Sequence, residues 1–165
     1  MASELHVDAI KHSGGTSALT IDSSGNVSIP GAVVQMQSTT TTSNISTTSN
    51  SLVASGLIVT ITPKFSTSKI IVNLTGGNLN WSSSENDQDI RMYRQLTGGS
   101  YADIGKIADV HQDSAYGMQH SSELIDSPNT TSAVNYQPYF NTSAGTTFFS
   151  NDSVNLVLRV MEVAQ

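Results

Sequence analysis

Apolar residues recur at every second position in short runs, and each run ends in a cluster of Gly, Ser, Asn or Pro. Leu57, Val59 and Ile61 alternate with Ile58, Thr60 and Thr62; Ile70, Val72 and Leu74 with Ile71 and Asn73; Leu156, Leu158 and Val160 with Val157, Arg159 and Met161. A period of two is the signature of a strand that lays one face on a core. No segment sustains a helical period. Only 12% of residues are charged and helix formers such as Glu, Lys and Arg are scarce, while Thr suits half-buried strands and Ser and Asn suit turns. Eight or more short strands punctuated by turns imply an all-β chain folded as an antiparallel β-sandwich of the jelly-roll kind.

The runs can be placed along the chain. Strands are expected at Val33–Gln37, Leu52–Thr62 and Lys69–Thr75. Gly76-Gly77 then reads as a turn, before a short strand at Asn78–Trp81 and a polar loop from Ser82 to Asp89. Further strands are expected at Ile90–Leu96, at Tyr101–Ile104 after a Gly98-Gly99 hairpin turn, and at Tyr116–Ile125. The last three fall at Ala133–Asn141 (after the turn Asp126-Ser127-Pro128-Asn129), Thr146–Ser150 and Asn155–Val163. The polar tract Ser38–Ser51 reads as an exposed strand or long loop with Ile45 as its inward anchor. Leu52–Thr62 and Asn155–Val163 are apolar on both faces, so one face is expected on the opposing sheet and the other against a neighbouring subunit.

The first 31 residues differ from the rest. Leu19 and Ile21, the turn Ser23-Ser24-Gly25-Asn26, then Val27 and Ile29 make a β-hairpin signal. A lone hairpin is marginal in water. The segment is therefore expected to act as a stalk or attachment piece (1–31) ahead of a head domain (32–165), divided at Pro30-Gly31. Its apolar residues Leu5, Val7, Ile10, Leu19, Ile21, Val27 and Ile29 are the candidates for that attachment.

Several functions are disfavoured. The net charge is −6 and the seven basic residues form no run, so phosphate neutralisation and nucleic-acid binding are not expected. There is no cysteine, hence no disulfide and no thiolate chemistry. The opening MASELHVDAI lacks the basic and apolar regions of a signal peptide, and no apolar run approaches the roughly 20 residues that span a bilayer, so synthesis in a cytoplasm without membrane insertion is expected. No catalytic set stands out, and no enzyme activity, cofactor or metal is expected. Glu85, Asp87 and Asp89 have the i, i+2, i+4 spacing of oxygen ligands but lack the central Gly and distal Glu of a calcium loop, and nothing around them would raise a carboxyl pKa for glycoside hydrolysis. His6, His12, His111 and His120 lack the helical pairing of a zinc site. Aromatic residues beside polar ones are the better binding signal, and Trp81 and Tyr93, with Glu85 and Asp87, are the candidate contact residues.

The stretch VDAI…SGGTSALTIDSSGNVSIPG, the following Ala32-Val33-Val34-Gln35, the segments Gly56–Pro63 and Ser68–Val72, and the ending Val160-Met161-Glu162-Val163 resemble virion proteins of tailed phages of the marine, cyanophage-like type. That resemblance implies a homotrimeric surface protein with a head like those of C1q or tumour-necrosis-factor domains, made in the host cytoplasm and carried on the virion surface. Its partners would be other copies of itself, tail, baseplate or major capsid proteins, and a host-surface glycan or protein. The implied role is host adhesion as a short tail fibre or receptor-binding knob. The alternative is a capsid decoration protein, either a cement or a head fibre.

Overall fold

The computed structural model describes residues 6–82, 86–112 and 117–165, and among these every regular element is a β-strand. Three short strands come first: β1 (Ala9–Lys11), β2 (Ser17–Ile21) and β3 (Val27–Ser28) form a small antiparallel sheet in the order β1-β2-β3. The expected hairpin is there, with Thr20 opposite Ser28 and Ile21 opposite Val27. Its turn is tied by Asp22, whose Oδ1 accepts from the backbone N–H groups of Ser24 (2.9 Å) and Asn26 (2.8 Å) and whose Oδ2 accepts from Asn26 Nδ2 (2.9 Å). These bonds, the Asn26 side-chain bond foremost, hold the Asp22 carboxyl below the usual carboxylate range.

The remaining strands form two facing sheets. One holds β4 (Val33–Thr41), β5 (Ile45–Thr47), β8 (Lys69–Trp81), β11 (Met118–Asp126), β13 (Thr147–Ser150) and β14 (Leu156–Val163). The other holds β6 (Val53–Ala54), β7 (Val59–Ile61), β9 (Asn86–Leu96), β10 (Ala102–Gln112) and β12 (Val134–Phe140). β5 continues the line of β4, β7 that of β6, and β14 that of β13. The sandwich thus reduces to eight positions along the chain, laid out 1-8-3-6 in one sheet and 2-7-4-5 in the other. That interleaving is a jelly roll. Within the sandwich β9 and β10 form a hairpin in one sheet; it closes through Gly99 N–H to Leu96 O at 2.9 Å, as the Gly98-Gly99 pair implies.

Alternation decides what lies between the sheets. Val59 and Ile61, Ile70, Val72 and Leu74, Ile90 and Met92, Val134 and Tyr136, and Leu156, Leu158 and Val160 all turn inward and are buried. Each side chain of this size contributes about 1.5–3 kcal/mol by leaving water. Two polar knots sit within that core. The buried Glu162 carboxylate accepts from Gln35 Nε2 (2.6 Å), from the backbone N–H groups of Lys64 (2.8 Å) and Phe65 (3.1 Å), and from Ser68 Oγ (2.7 Å), anchoring the segment that Pro63-Lys64 begins. Asp126, at the end of β11, accepts two bonds from Arg94 Nη1 (2.8 and 3.0 Å) and one from the Tyr136 hydroxyl (2.7 Å), joining one sheet to the other. Burial first, then the neighbouring Asp126 charge, pushes the Tyr136 phenol far above its ordinary range.

Several boundaries differ from the expectation. Gly76-Gly77 is a bulge inside the thirteen-residue strand β8, not a turn: both glycines have positive φ (86° and 65°), and a Cβ on Gly76 would sit 2.1 Å from the Asn155 carbonyl oxygen. Leu52–Thr62 is broken in two by Gly56, whose φ is +77°. Asn86–Asp89 belong to β9 rather than to a loop, because Asn86 is buried and bonded to Ala144 O (2.6 Å) and Thr142 Oγ1 (2.8 Å). The expected turn Asp126–Asn129 lies between β11 and β12 and carries the chain from one sheet to the other.

Candidate functional site

Three surfaces bear on function: the N-terminal sheet and the two outer faces of the sandwich. In the N-terminal sheet Ile10 pairs with Leu19 and Ile21 with Val27, so the four share one face. Leu19 and Ile21 are half-buried, Ile10, Val27 and Ile29 are exposed, and Val7 is half-buried just before β1. Leu5 lies outside the described residues. The segment meets the head where Gly31 N–H donates to Ala164 O (2.8 Å) and Ala164 N–H to Ala32 O (3.0 Å). An open cavity of about 390 Å³ lies at this junction, lined by Val27 and Ile29 from the segment and by Val33, Lys64 and Phe65 from the head.

The outer face of the β10-β9-β12-β6 sheet is a ladder of paired charges. Arg91 bonds Asp103 (2.5 Å), Lys106 bonds both Asp89 (2.6 Å) and Asp109 (3.0 Å), and His111 Nδ1 meets Asp87 (2.5 Å). The two carboxylates hold the Lys106 ammonium above its ordinary range, Asp89 contributing more than Asp109. A polar cleft of about 610 Å³ opens here, lined by Asn50, Asp87, Asp89, Asp109, Asn141 and Ser143. Beside it Tyr93 stacks on Tyr139 at 4.0 Å, and Tyr101 leans on Tyr139 at 6.1 Å.

The contact candidates are therefore scattered. Trp81 is 2% exposed and belongs to the core, which corrects its expected place beside a surface loop: as the last residue of β8 its ring turns inward under β13. Tyr93 and Asp87 do share the outer face of β9, but Asp87 is engaged by His111 and Tyr93 by Tyr139. Glu85 lies outside the described residues. Lys106 and Tyr139, which tie this face together, are not marked by any motif. The register of β9 on β10 would have revealed Lys106, but bulges between Asp103 and Gly105 and between Lys106 and Ala108 hide the alternation of β10. Among the described residues no three His, Cys, Asp or Glu side chains converge as metal ligands would.

The outer face of the other sheet is apolar in its lower half. Met36, Met161, Ile71 and Ile125 stand side by side across β4, β14, β8 and β11. Met36 is 55% and Ile125 63% exposed. Val33, also 55% exposed, pairs with Val163 at the end nearest the N-terminal segment. The next row reads Ser38, Arg159, Asn73, Glu123.

These features define an antiparallel all-β jelly roll with a small β appendage. No family model matches the sequence, and no curated protein matches it. Among solved structures the chain is similar to chains in structures of infectious bursal disease virus. For the Gx strain the identity is 11%, the TM-score 0.44, and the match covers 84% of this chain and 42% of that one. For the Gt strain the identity is 8%, the TM-score 0.42, and the match covers 84% of this chain and 45% of that one. The chain thus spans less than half the length of either.

Proposed function

We propose that the protein is a non-enzymatic structural component of a virion surface, a homotrimeric head carried on an N-terminal attachment segment. The observation that carries this reading is the pairing of a jelly-roll head, a fold used by viral capsid and lectin domains, with a separate three-stranded sheet that leaves Ile10 and Val27 of its apolar face exposed. Strands of three, five and two residues bury little between them, so that apolar face is open to a partner, either a virion protein or its own copies. The phage-like N-terminal sequence supports the same reading. Three copies present each outer surface three times, and multivalency raises avidity without new contacts per site. Adhesion to a host-surface glycan or protein as a tail fibre is the first reading. Tyr93, Asp87 and the cleft beside them form the surface available for it.

Capsid decoration is the second reading. It is favoured by the burial of Trp81 and by the closed pairing of charges around Asp87, which leave the head a sparse contact surface.

Antibody–gold labelling of intact purified particles tests both. Label on the tail or baseplate is expected for adhesion and label over the head for decoration; particles that bear no label would overturn the virion reading. Deleting residues 1–29 is expected to leave a folded head that no longer attaches to particles.

A further inference from the structure

We propose that the outer face of the β4-β14-β8-β11 sheet is covered by a second copy of this chain, with the β11 side of one copy on the β4/β14 side of the next, so that Glu123 of one faces Arg159 of the other. The inference rests on the oligomeric reading above and names the surface that reading requires.

The row Met36–Met161–Ile71–Ile125 puts four large apolar side chains on one outer face, and Val33 and Val163 extend it toward the exposed Val27 and Ile29 of the N-terminal segment. Contiguous apolar surface of this kind marks an interaction site. Charge identifies the occupant. In the adjacent row Arg159 on β14 and Glu123 on β11 are separated by Asn73, roughly 10 Å at ordinary strand spacing, and they make no ion pair. Arg159 Nε is enclosed with no hydrogen-bond partner. Every cation on the opposite outer face, by contrast, has its carboxylate.

The two halves of this face therefore complement each other and not themselves. The β4/β14 half carries Met36 and a cation; the β11 half carries Ile125 and an anion. Contacts between one patch and a different patch give a ring where the rotation closes, and the trimer proposed above is such a ring. A face four strands wide and eight residues long spans roughly 500 Å² in projection. In a ring each neighbour covers about half of it, and the apolar residues of the N-terminal segment add to each contact.

The test uses the full-length chain and light scattering. The wild type is expected at three times the 17.5 kDa chain mass. Ile125→Asp, at a position that contributes little to its own chain's packing, is expected to give a folded monomer with an unchanged far-UV spectrum. E123R and R159E are each expected to weaken association tenfold or more, because each places like charges in contact, and the double variant E123R/R159E is expected to restore it. Ala54→Asp, on the opposite outer face, should leave the mass unchanged. A monomeric wild type, an Ile125→Asp variant that keeps its oligomeric mass, or a double swap no better than the single variants would overturn the proposal. Particle labelling reads location whatever the mass, so failure here and failure of the virion reading are distinguishable.

Discussion

The two outer faces of the sandwich answer the same problem in different ways. On the β10-β9-β12-β6 face each cation lies against a carboxylate and Tyr93 lies against Tyr139, so the face is complete within one chain. On the β4-β14-β8-β11 face the apolar row stands open and Arg159 and Glu123 stay apart. Paired surface charges contribute little to stability, with a median near 0–1 kcal/mol, so the first face is built for solvent rather than for strength. An open apolar row is costly to leave in water and is useful only when something covers it. The difference teaches that both sheets supply one core while only the β4-β14-β8-β11 sheet leaves an apolar row open on its outer side.

Both faces rest on one sandwich, and the largest expected effect comes from removing a support of its rigidity. Glu162 sits on β14 with its side chain turned away from the open face, and its carboxylate organises the backbone at Lys64 and Phe65 beside the junction cavity. Glu162→Ala strands those donors, and charge-assisted bonds of this kind are worth about 1.5–3 kcal/mol each. A fall in Tm of about 10 °C is expected by calorimetry. A Tm within a degree or two of the wild type would show that the segment after Pro63 is held by its packing instead.

A smaller effect separates the faces by pH. His120 is buried on β11, its Nε2 against Ser122 Oγ at 2.8 Å, and burial lowers its pKa. The unfolded chain then binds the proton more readily than the folded one. Stability is therefore fully present at pH values above the unfolded histidine value of about 6.5 and declines as pH falls through and below it. The expected outcome is a lower urea midpoint at pH 5.5 than at pH 7.5, with a flatter dependence in His120→Gln. An unchanged slope in that variant would move the effect to another histidine. Because β11 borders the open face, acid should loosen that side first, and protection of its amides against hydrogen exchange is the sharper readout.

What could be read from the residues follows the same division. Alternation placed the inward residues of β7, β8 and β14 correctly, since burial between two sheets enforces a strict period of two. It failed at glycines. Gly76-Gly77 has the composition of a turn, yet the pair lets β8 bulge around the Asn155 carbonyl, a long-range contact with no local signal. The outer faces were half legible. Apolar residues on both sides of β14 pointed to an apolar outer face, but that Met36, Ile71 and Ile125 align with Met161 depends on which strands are neighbours, and jelly-roll order sets neighbours far apart in sequence. Trp81 was misplaced for the same reason: its polar neighbours Ser82 and Asn80 suggest a surface, while the pairing of β8 with β13 turns its ring inward.

The smallest expected effect tests whether the charged face is as self-contained as its geometry implies. Lys106 joins Asp89 and Asp109 across β9 and β10 at a largely solvated position. Lys106→Met leaves two carboxylates facing each other across one strand pair, a repulsion that water and ions screen strongly. A slight lowering of Tm is expected in low salt, disappearing in 1 M NaCl where the Debye length is about 3 Å. The oligomeric mass should not change at either salt concentration, because the proposed contact between copies lies on the other face. A loss of mass in low salt would mean that the charged ladder also touches a second copy, and the contrast between a finished face and an open one would have to be given up.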